Sequence, residues 1–268
     1  MSLSRRAASA ARLLRLAETS FIAIVQQSEG IVLRTWPFGE ADLMVAVFTR
    51  DQGVVRGVAR HAMRSRRRFG GALEPMTYVR AEWAERPKQD VVRLDRCEIL
   101  WSPLRDAVDY PRAAALAFLA EVLEGALPDR AVEDDVFRLT LAAATHLAGT
   151  NLGLPVTYFA LWITRLLGWM PDLNRCAASG EPLRGEGVYY SPLRDGIFAA
   201  KHRPSGSVLL SPEAIATAAR IFRKPLPELT AEADWPRAAT QQLRRFAITI
   251  LERHLEDRLR SARALVTL

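Results

Sequence analysis

The run Arg60-His61-Ala62-Met63-Arg64-Ser65-Arg66-Arg67-Arg68-Phe69-Gly70-Gly71 is the part of the chain with the clearest chemistry. From Arg50 to Gly71 seven arginines (50, 56, 60, 64, 66, 67 and 68) stand against one acid, Asp51. Clustered guanidinium groups neutralise phosphates and gain free energy as condensed counterions are released. Their planar fork suits phosphate and stacks on bases. Phe69, with Trp36, Phe38, Tyr78 and Trp83 close in sequence, offers rings for base stacking. A solvated charged loop is the competing reading. The scarcity of acids and the basic balance of the chain favour nucleic acid, and the candidate DNA-binding set is Arg34, Arg56, Arg60, Arg64, Arg66, Arg67, Arg68 and Phe69.

Other chemistries find little support. Cys176-Ala177-Ala178-Ser179-Gly180 resembles half of a zinc knuckle, but a structural zinc site takes four nitrogen or sulfur ligands. The chain offers two, Cys176 and His202; Ser179 and Ala199 stand at the other two positions, so no metal is expected. His146 and His254 fall on predicted helices and read as packing residues. There is no phosphate-binding Gly-x-x-x-x-Gly-Lys loop, no Gly-x-Ser-x-Gly elbow and no His-Glu-x-x-His. Glu133-Asp134-Asp135 sits at a predicted helix start, where acids interact favourably with the positive end of the helix dipole. No catalytic residue and no cofactor is expected, and the chain reads as a non-enzyme.

The elements that must position the basic run follow from pattern. Gly30–Thr35, Leu43–Phe48, Val54–Arg60, Met76–Glu85 and Val91–Leu100 read as strands. Leu43–Phe48 is apolar on both faces, as a strand covered on two sides is. Asp51-Gln52-Gly53 is a hairpin turn, with glycine available for positive φ. On the next strand Val55, Gly57 and Ala59 share one face, and Val54, Arg56, Val58 and Arg60 the other. Five strands in so short a stretch fit a small closed barrel better than a sandwich.

From about 110 the period turns helical, with predicted helices over 110–127, 132–148, 155–168, a short one opened by Ser211-Pro212, and a last one over 236–265. Arginines are expected along the polar side of that last helix. Residues 171–210 read as a loop-rich knob or small hairpin, and Pro225 and Pro227 as helix terminators.

Size and charge fit this plan. The 268 residues suffice for two modest cores, and the formal charge is +7 with a pI near 10.0. The two ends are basic and 101–236 is acidic, so a nucleic-acid surface is expected on the N-terminal part, helped by the last helix. Two cysteines exclude a disulfide framework and fit a reducing cytoplasm. No apolar run reaches the roughly 18 residues of a membrane span. The arginine-bearing start lacks an apolar h-region and reads as a disordered tail, or as a start codon placed too far upstream, rather than a signal peptide.

Several ordered motifs within the first strands resemble one family. Glu29-Gly30-Ile31-Val32-Leu33-Arg34-Thr35, Phe38-Gly39-Glu40-Ala41-Asp42-Leu43, Phe48-Thr49-Arg50-Asp51-Gln52-Gly53, Val58-Ala59-Arg60 and Gly70-Gly71-Ala72-Leu73-Glu74-Pro75 are similar to the opening of the bacterial RecO family. The likeness returns at Leu166-Leu167-Gly168 and Asp172-Leu173-Asn174-Arg175-Cys176. It implies an α+β protein: a tail over 1–22, a five-stranded OB-fold barrel over 23–105, and a mostly helical domain over 106–268. The insert at 171–210 would be a degenerate form of the family's zinc knuckle, whose pattern survives only at Cys176 and Gly180.

The resemblance also implies DNA repair and recombination in the bacterial cytoplasm, at the nucleoid and with no membrane role. The activities implied are binding of single- and double-stranded DNA and strand annealing. The partners implied are RecR, the C-terminal tail of single-strand-binding protein (SSB), often RecF, and RecA indirectly. A protein-docking adaptor built on the same barrel is the competing class, and salt-dependent affinity for naked DNA separates the two.

Overall fold

Alternating side chains on a twisted strand give a sheet two distinct faces, and here both faces of several strands are apolar. The structure is a computed structural model and describes residues 24–87, 89–183, 187–232 and 235–267; the expected tail, 1–22, lies outside them. Five strands, β1 (Ile24–Phe38), β2 (Asp42–Thr49), β3 (Gly53–Ala59), β4 (Tyr78–Glu85) and β5 (Val92–Trp101), close a barrel in the order β1-β2-β3-β5-β4. The β3–β5 pairing is parallel and the others are antiparallel. The long β1 closes the ring: its first half pairs with β4 and its second half with β2, past an irregularity between Val32 and Arg34.

Inside the barrel Val32, Val45, Val47, Val55, Trp83 and Leu94 pack together. Outside it, Ile31, Leu33, Ala46, Phe48 and Val54 join a second core shared with the helices. That sharing is why β2 is apolar on both faces. Phe48 meets Phe137 edge-on at 5.5 Å, and Tyr78 meets the same ring at 6.1 Å. Gly53 has φ 65°, and a Cβ there would fall 2.2 Å from the Ala131 carbonyl oxygen. The hairpin thus needs glycine twice, for its turn and for the close approach of the helical region.

The helical region comprises α1 (Tyr110–Ala126), α2 (Asp134–His146), α3 (Gly153–Leu166), α4 (Pro212–Ile221), α5 (Leu226–Thr230) and α6 (Arg237–Leu255). Asp109 caps α1 by accepting from the Arg112 N–H, and Ser211 caps α4 by accepting from that of Ala214. Pro111 and Pro212 sit in the first turns, where a missing N–H costs nothing.

Three expectations are corrected, and the small hairpin at 171–210 is extended by a third strand. The segment 171–210 contains a three-stranded antiparallel sheet, β6 (Val188–Ser191), β7 (Arg194–Phe198) and β8 (Val208–Leu210), in the order β7-β6-β8. Pro227 does not only terminate: a proline in the first turn opens the short α5. The last helix ends at Leu255, ten residues earlier than predicted, because Glu256 turns left-handed at φ 53°. The chain then folds back into a 3-10 segment, Ser261–Thr267, and Glu121 accepts the backbone N–H groups of Arg260 and Ser261 at 2.9 Å. Finally, Arg244 of α6 is not on the polar side; it is only 2% exposed, and burial lowers its guanidinium to about 10.

Truncating Phe137 to alanine removes a ring from the junction of barrel and helices and is expected to cost about 3–5 kcal/mol. Urea unfolding followed by tryptophan fluorescence and by circular dichroism should show both signals shifting together. Separate transitions, with only the helical one shifted, would contradict a shared core.

Candidate nucleic-acid interface

In small barrels of this topology the outer face of β2–β3 and the neighbouring loops are the usual place for a nucleic-acid strand. Here the helices occupy part of that face. Ala46 and Phe48 have no exposed surface and Val54 is 1% exposed, all three in the core shared with the helices. The barrel end formed by the β1–β2 turn and the β3–β4 connection is open, with Phe38 and Met63 exposed on it.

The basic run forms that end. His61 takes a left-handed conformation (φ 54°), and its backbone N–H donates to Asp42 Oδ1 at 2.7 Å. The Met63 N–H donates to the Ala41 carbonyl, tying the 3-10 turn Ala62–Arg64 to the β1–β2 turn. Further on, Phe69, Ala72 and Leu73 enter the barrel interior, and the Cys97 N–H donates to the Arg68 carbonyl. Thr35 Oγ1 donates to the Leu73 carbonyl at 2.7 Å. The connection is therefore a lid pinned at several points. Between it and β1–β2 lies a cleft of about 400 Å³, lined among others by Thr35, Leu43, Met63 and Arg66.

The eight residues expected to touch DNA do not share one environment. Arg60, Arg64, Arg66 and Arg67 are exposed on the lid and make no ion pair with the described residues. Arg68 is turned inward: its Nε donates to Ser65 Oγ at 3.1 Å, its Nη2 to the Arg60 carbonyl, and its guanidinium lies 5.1 Å from the Phe69 ring. Phe69 is 3% exposed inside the barrel, so its faces are not available to a base; this corrects its reading as a stacking residue.

Arg34 and Arg56 lie where the barrel meets the helices. Arg34 pairs with Glu124 at 3.5 Å, and Arg56 with Asp129 at 3.1 Å and Glu124 at 3.9 Å. Arg50 joins this set through Asp134 at 2.8 Å. Those cations are matched by acids of the helical region, whereas Arg60, Arg64, Arg66 and Arg67 of the lid have no such partner among the described residues.

The other aromatic candidates sort similarly. Trp83 is 1% exposed, and its Nε1 donates to Glu85. Tyr78 packs on Phe137 and donates to Glu29; burial, with the Glu29 carboxylate, pushes its hydroxyl up to about 12. Trp36 is half-buried with the Arg34 guanidinium 5.5 Å from its ring. Phe38 alone of the five is exposed, at 49%, at the β1–β2 turn. Met63, exposed at 52% on the lid, is a further apolar group at this end that composition does not single out.

The four positions that the family likeness marks for zinc do come together. The Gly180 N–H donates to the Cys176 carbonyl and the His202 N–H to the Ala199 carbonyl, making two tight turns. Cys176 Sγ lies 3.7 Å from His202 Nδ1 and accepts the Ala199 N–H at 3.4 Å. Burial would raise the Cys176 thiol, but the N–H groups of Ala199, Ser179 and Ala178 and the Ser179 hydroxyl bring it down to about 6. Ser179 and Ala199 add neither sulfur nor imidazole. Among the described residues no group of three or more His, Cys, Asp or Glu is placed to hold a metal. The site does not fit zinc; hydrogen bonds to sulfur stand where metal bonds would.

Comparison with known proteins agrees with this architecture. The family profile "Recombination protein O N terminal" matches residues 24–103, and "Recombination protein O C terminal" matches 107–263. A protein of Koribacter versatilis (strain Ellin345) described as "DNA repair protein RecO" is 49% identical over 236 residues, spanning 88% of this chain and 96% of the relative. Proteins described in the same words from Anaeromyxobacter sp. (strain K) and Thermobifida fusca (strain YX) are 36% and 33% identical, spanning 88% of this chain and 94% and 96% of theirs.

Because the insert is held by protein hydrogen bonds, EDTA is expected to leave the melting temperature unchanged, with no stoichiometric zinc by atomic emission. The double substitution Ser179→Cys, Ala199→Cys should create a Cys3His site that binds zinc with about 1:1 stoichiometry and makes melting chelator-sensitive. Loss of helical or sheet signal in the unmodified protein on adding EDTA would refute the metal-free reading.

Proposed function

The chain belongs to the RecO family of DNA repair proteins, and from that premise we propose that it is a non-enzymatic mediator that binds single- and double-stranded DNA through the barrel's arginine lid and anneals complementary strands. Its place in DNA repair and recombination follows from the family. The finer reading rests on one observation: four exposed arginines, Arg60, Arg64, Arg66 and Arg67, on a pinned lid, with no carboxylate of the described residues paired to them.

Phosphates are bound by displacing counterions, with no change of covalent structure. A pinned lid presents its cations in a fixed arrangement, so less conformational entropy is lost on binding than for a free loop. Phe38 beside the lid and Met63 on it offer apolar surface to unstacked bases. Arg34, Arg56 and Arg68 take structural roles instead, at the barrel–helix junction and inside the lid. The barrel over 23–105 is the DNA-binding unit, and the helical region over 106–268 covers its flank.

In the cell the protein acts in the bacterial cytoplasm, at the nucleoid. It works with RecR, and with RecF where that protein takes part, to let RecA replace SSB on gapped DNA, and it contacts the C-terminal tail of SSB. A brief test of this wider role is annealing of SSB-coated complementary oligonucleotides across a salt series.

Replacing Arg60, Arg64, Arg66 and Arg67 with alanine should weaken binding to oligonucleotides of any sequence. Each lost phosphate contact lowers the slope of log affinity against log salt by about 0.7 on a single strand, so the quadruple variant should lose up to about 3. Arg34→Ala and Arg56→Ala should leave that slope unchanged and cost at most about 1 kcal/mol of stability, as partly exposed ion pairs do. Fluorescence anisotropy in a potassium chloride series reads both. An unchanged slope in the quadruple variant would move the DNA surface away from the lid.

A further inference from the structure

A second positive surface lies on the helical region. Where the chain folds back after Glu256, the 3-10 segment Ser261–Thr267 packs on α1, and it and its approach line, together with α6, a groove of about 310 Å³. Arg244, Arg245, Arg258 and Arg263 line it over an apolar floor that includes Ile248 and Leu259. Arg245, Arg258 and Arg263 are exposed and make no ion pair with the described residues, while Arg244 is 2% exposed. The one acid in the lining, Glu252, has an oxygen engaged by the Leu259 N–H at 3.1 Å.

Arg244 and Arg245 are consecutive cations on α6, the first buried and the second exposed. Burial, and then the neighbouring Arg245 charge, lowers the Arg244 guanidinium to about 10, so it stays cationic at neutral pH. An anion in the groove would be attracted to both charges. The positive row also outlasts the groove. Arg237 is exposed on α6 two turns before Arg245, about 12 Å along the axis. A single carboxylate needs no such extension, whereas a repeating anion with apolar surface between its charges fits both the row and the floor.

We infer that this groove is a second strand-binding site, holding the phosphates of one DNA strand while the barrel lid holds the other. The inference rests on the DNA-binding reading above and adds to it a physical basis for annealing: one chain carries two separate strand sites. Each is electrostatic and sequence-independent, so any complementary pair is brought together.

The test uses the full chain, an oligonucleotide of about 10 nucleotides, the size of a single-barrel site, and two variants. One is Arg245→Ala, Arg258→Ala, Arg263→Ala, all at exposed positions, with its fold checked by circular dichroism; the other is the quadruple lid variant. The unmodified protein is expected to bind two equivalents at low salt, and each variant one. The groove variant should anneal complementary strands about tenfold more slowly while its remaining equivalent keeps the affinity of the lid site.

Two equivalents in the groove variant would overturn the inference. So would a single equivalent in the unmodified protein that only the lid variant removes, which would leave the DNA-binding reading standing. If an acidic peptide saturates the groove, and the groove variant abolishes that binding with DNA stoichiometry unchanged, the groove is a peptide site and the inference fails. Absence of any DNA binding by the unmodified protein would remove the underlying reading as well.

Discussion

Burial of the outer face of β1–β3 against the helices decides where this molecule can be open and where its charges are spent. Ile31, Leu33, Ala46, Phe48 and Val54 point away from the barrel axis and would be exposed in a barrel on its own. Apolar surface of that extent is removed from water at about 25 cal/mol per Å², so barrel and helices pack as one core. Arg34, Arg50 and Arg56 ring this junction and find Glu124, Asp129 and Asp134 on the helical side. The acidic middle of the chain is therefore partly a complement to the barrel's own basic flank. Cations matched in this way have little left to offer a phosphate. The same packing covers part of the strand face that barrels of this topology commonly use.

At that end the arginines are free because of how the connection is pinned. A loop that dips Phe69, Ala72 and Leu73 into the barrel must turn its polar residues outward, and most of those are arginines. Arg68 is the exception that fixes the rest. By holding Ser65, the Arg60 carbonyl and the Phe69 ring, it sets where Arg64, Arg66 and Arg67 leave the backbone. One arginine is used to order the others, which keeps like charges close without collapse of the loop onto neighbouring acids.

The periodic parts of this architecture are legible in the sequence, and the parts made by tertiary closure are not. Alternation along Val54–Ala59, the Gly53 turn, and the Ser211 and Pro111 helix starts each rest on local chemistry, and each stands in the structure. Phe69 is different: an aromatic inside an arginine run reads as exposed, and only the open end of a closed barrel explains why it is buried. Trp83 and Tyr78 mislead for the same reason, since a strand's two faces can both be covered. The fold-back after Leu255 carries no glycine or proline to announce it. It depends on Glu121, more than a hundred residues earlier, accepting two backbone N–H groups. β8, three residues long, has no room to show alternation.

Arg244 follows from that unannounced turn. On a straight helix running to the chain end it would face solvent among the other arginines, with no reason to be desolvated. The returning segment, with Leu259 and Leu265 buried, walls in this side of α6. Burying a guanidinium is costly, and a neighbouring Arg245 adds to the cost rather than offsetting it. A fold that only needed to seal this face could do so with an aliphatic residue at position 244, as it does with Leu243 and Ala247 beside it. On the strand-site reading proposed above, a phosphate in the groove would add a charge-assisted contact to this pair of cations. Strand binding and the stability of this corner are then thermodynamically linked: DNA should raise the melting temperature of the unmodified chain more than that of a variant whose position 244 carries leucine.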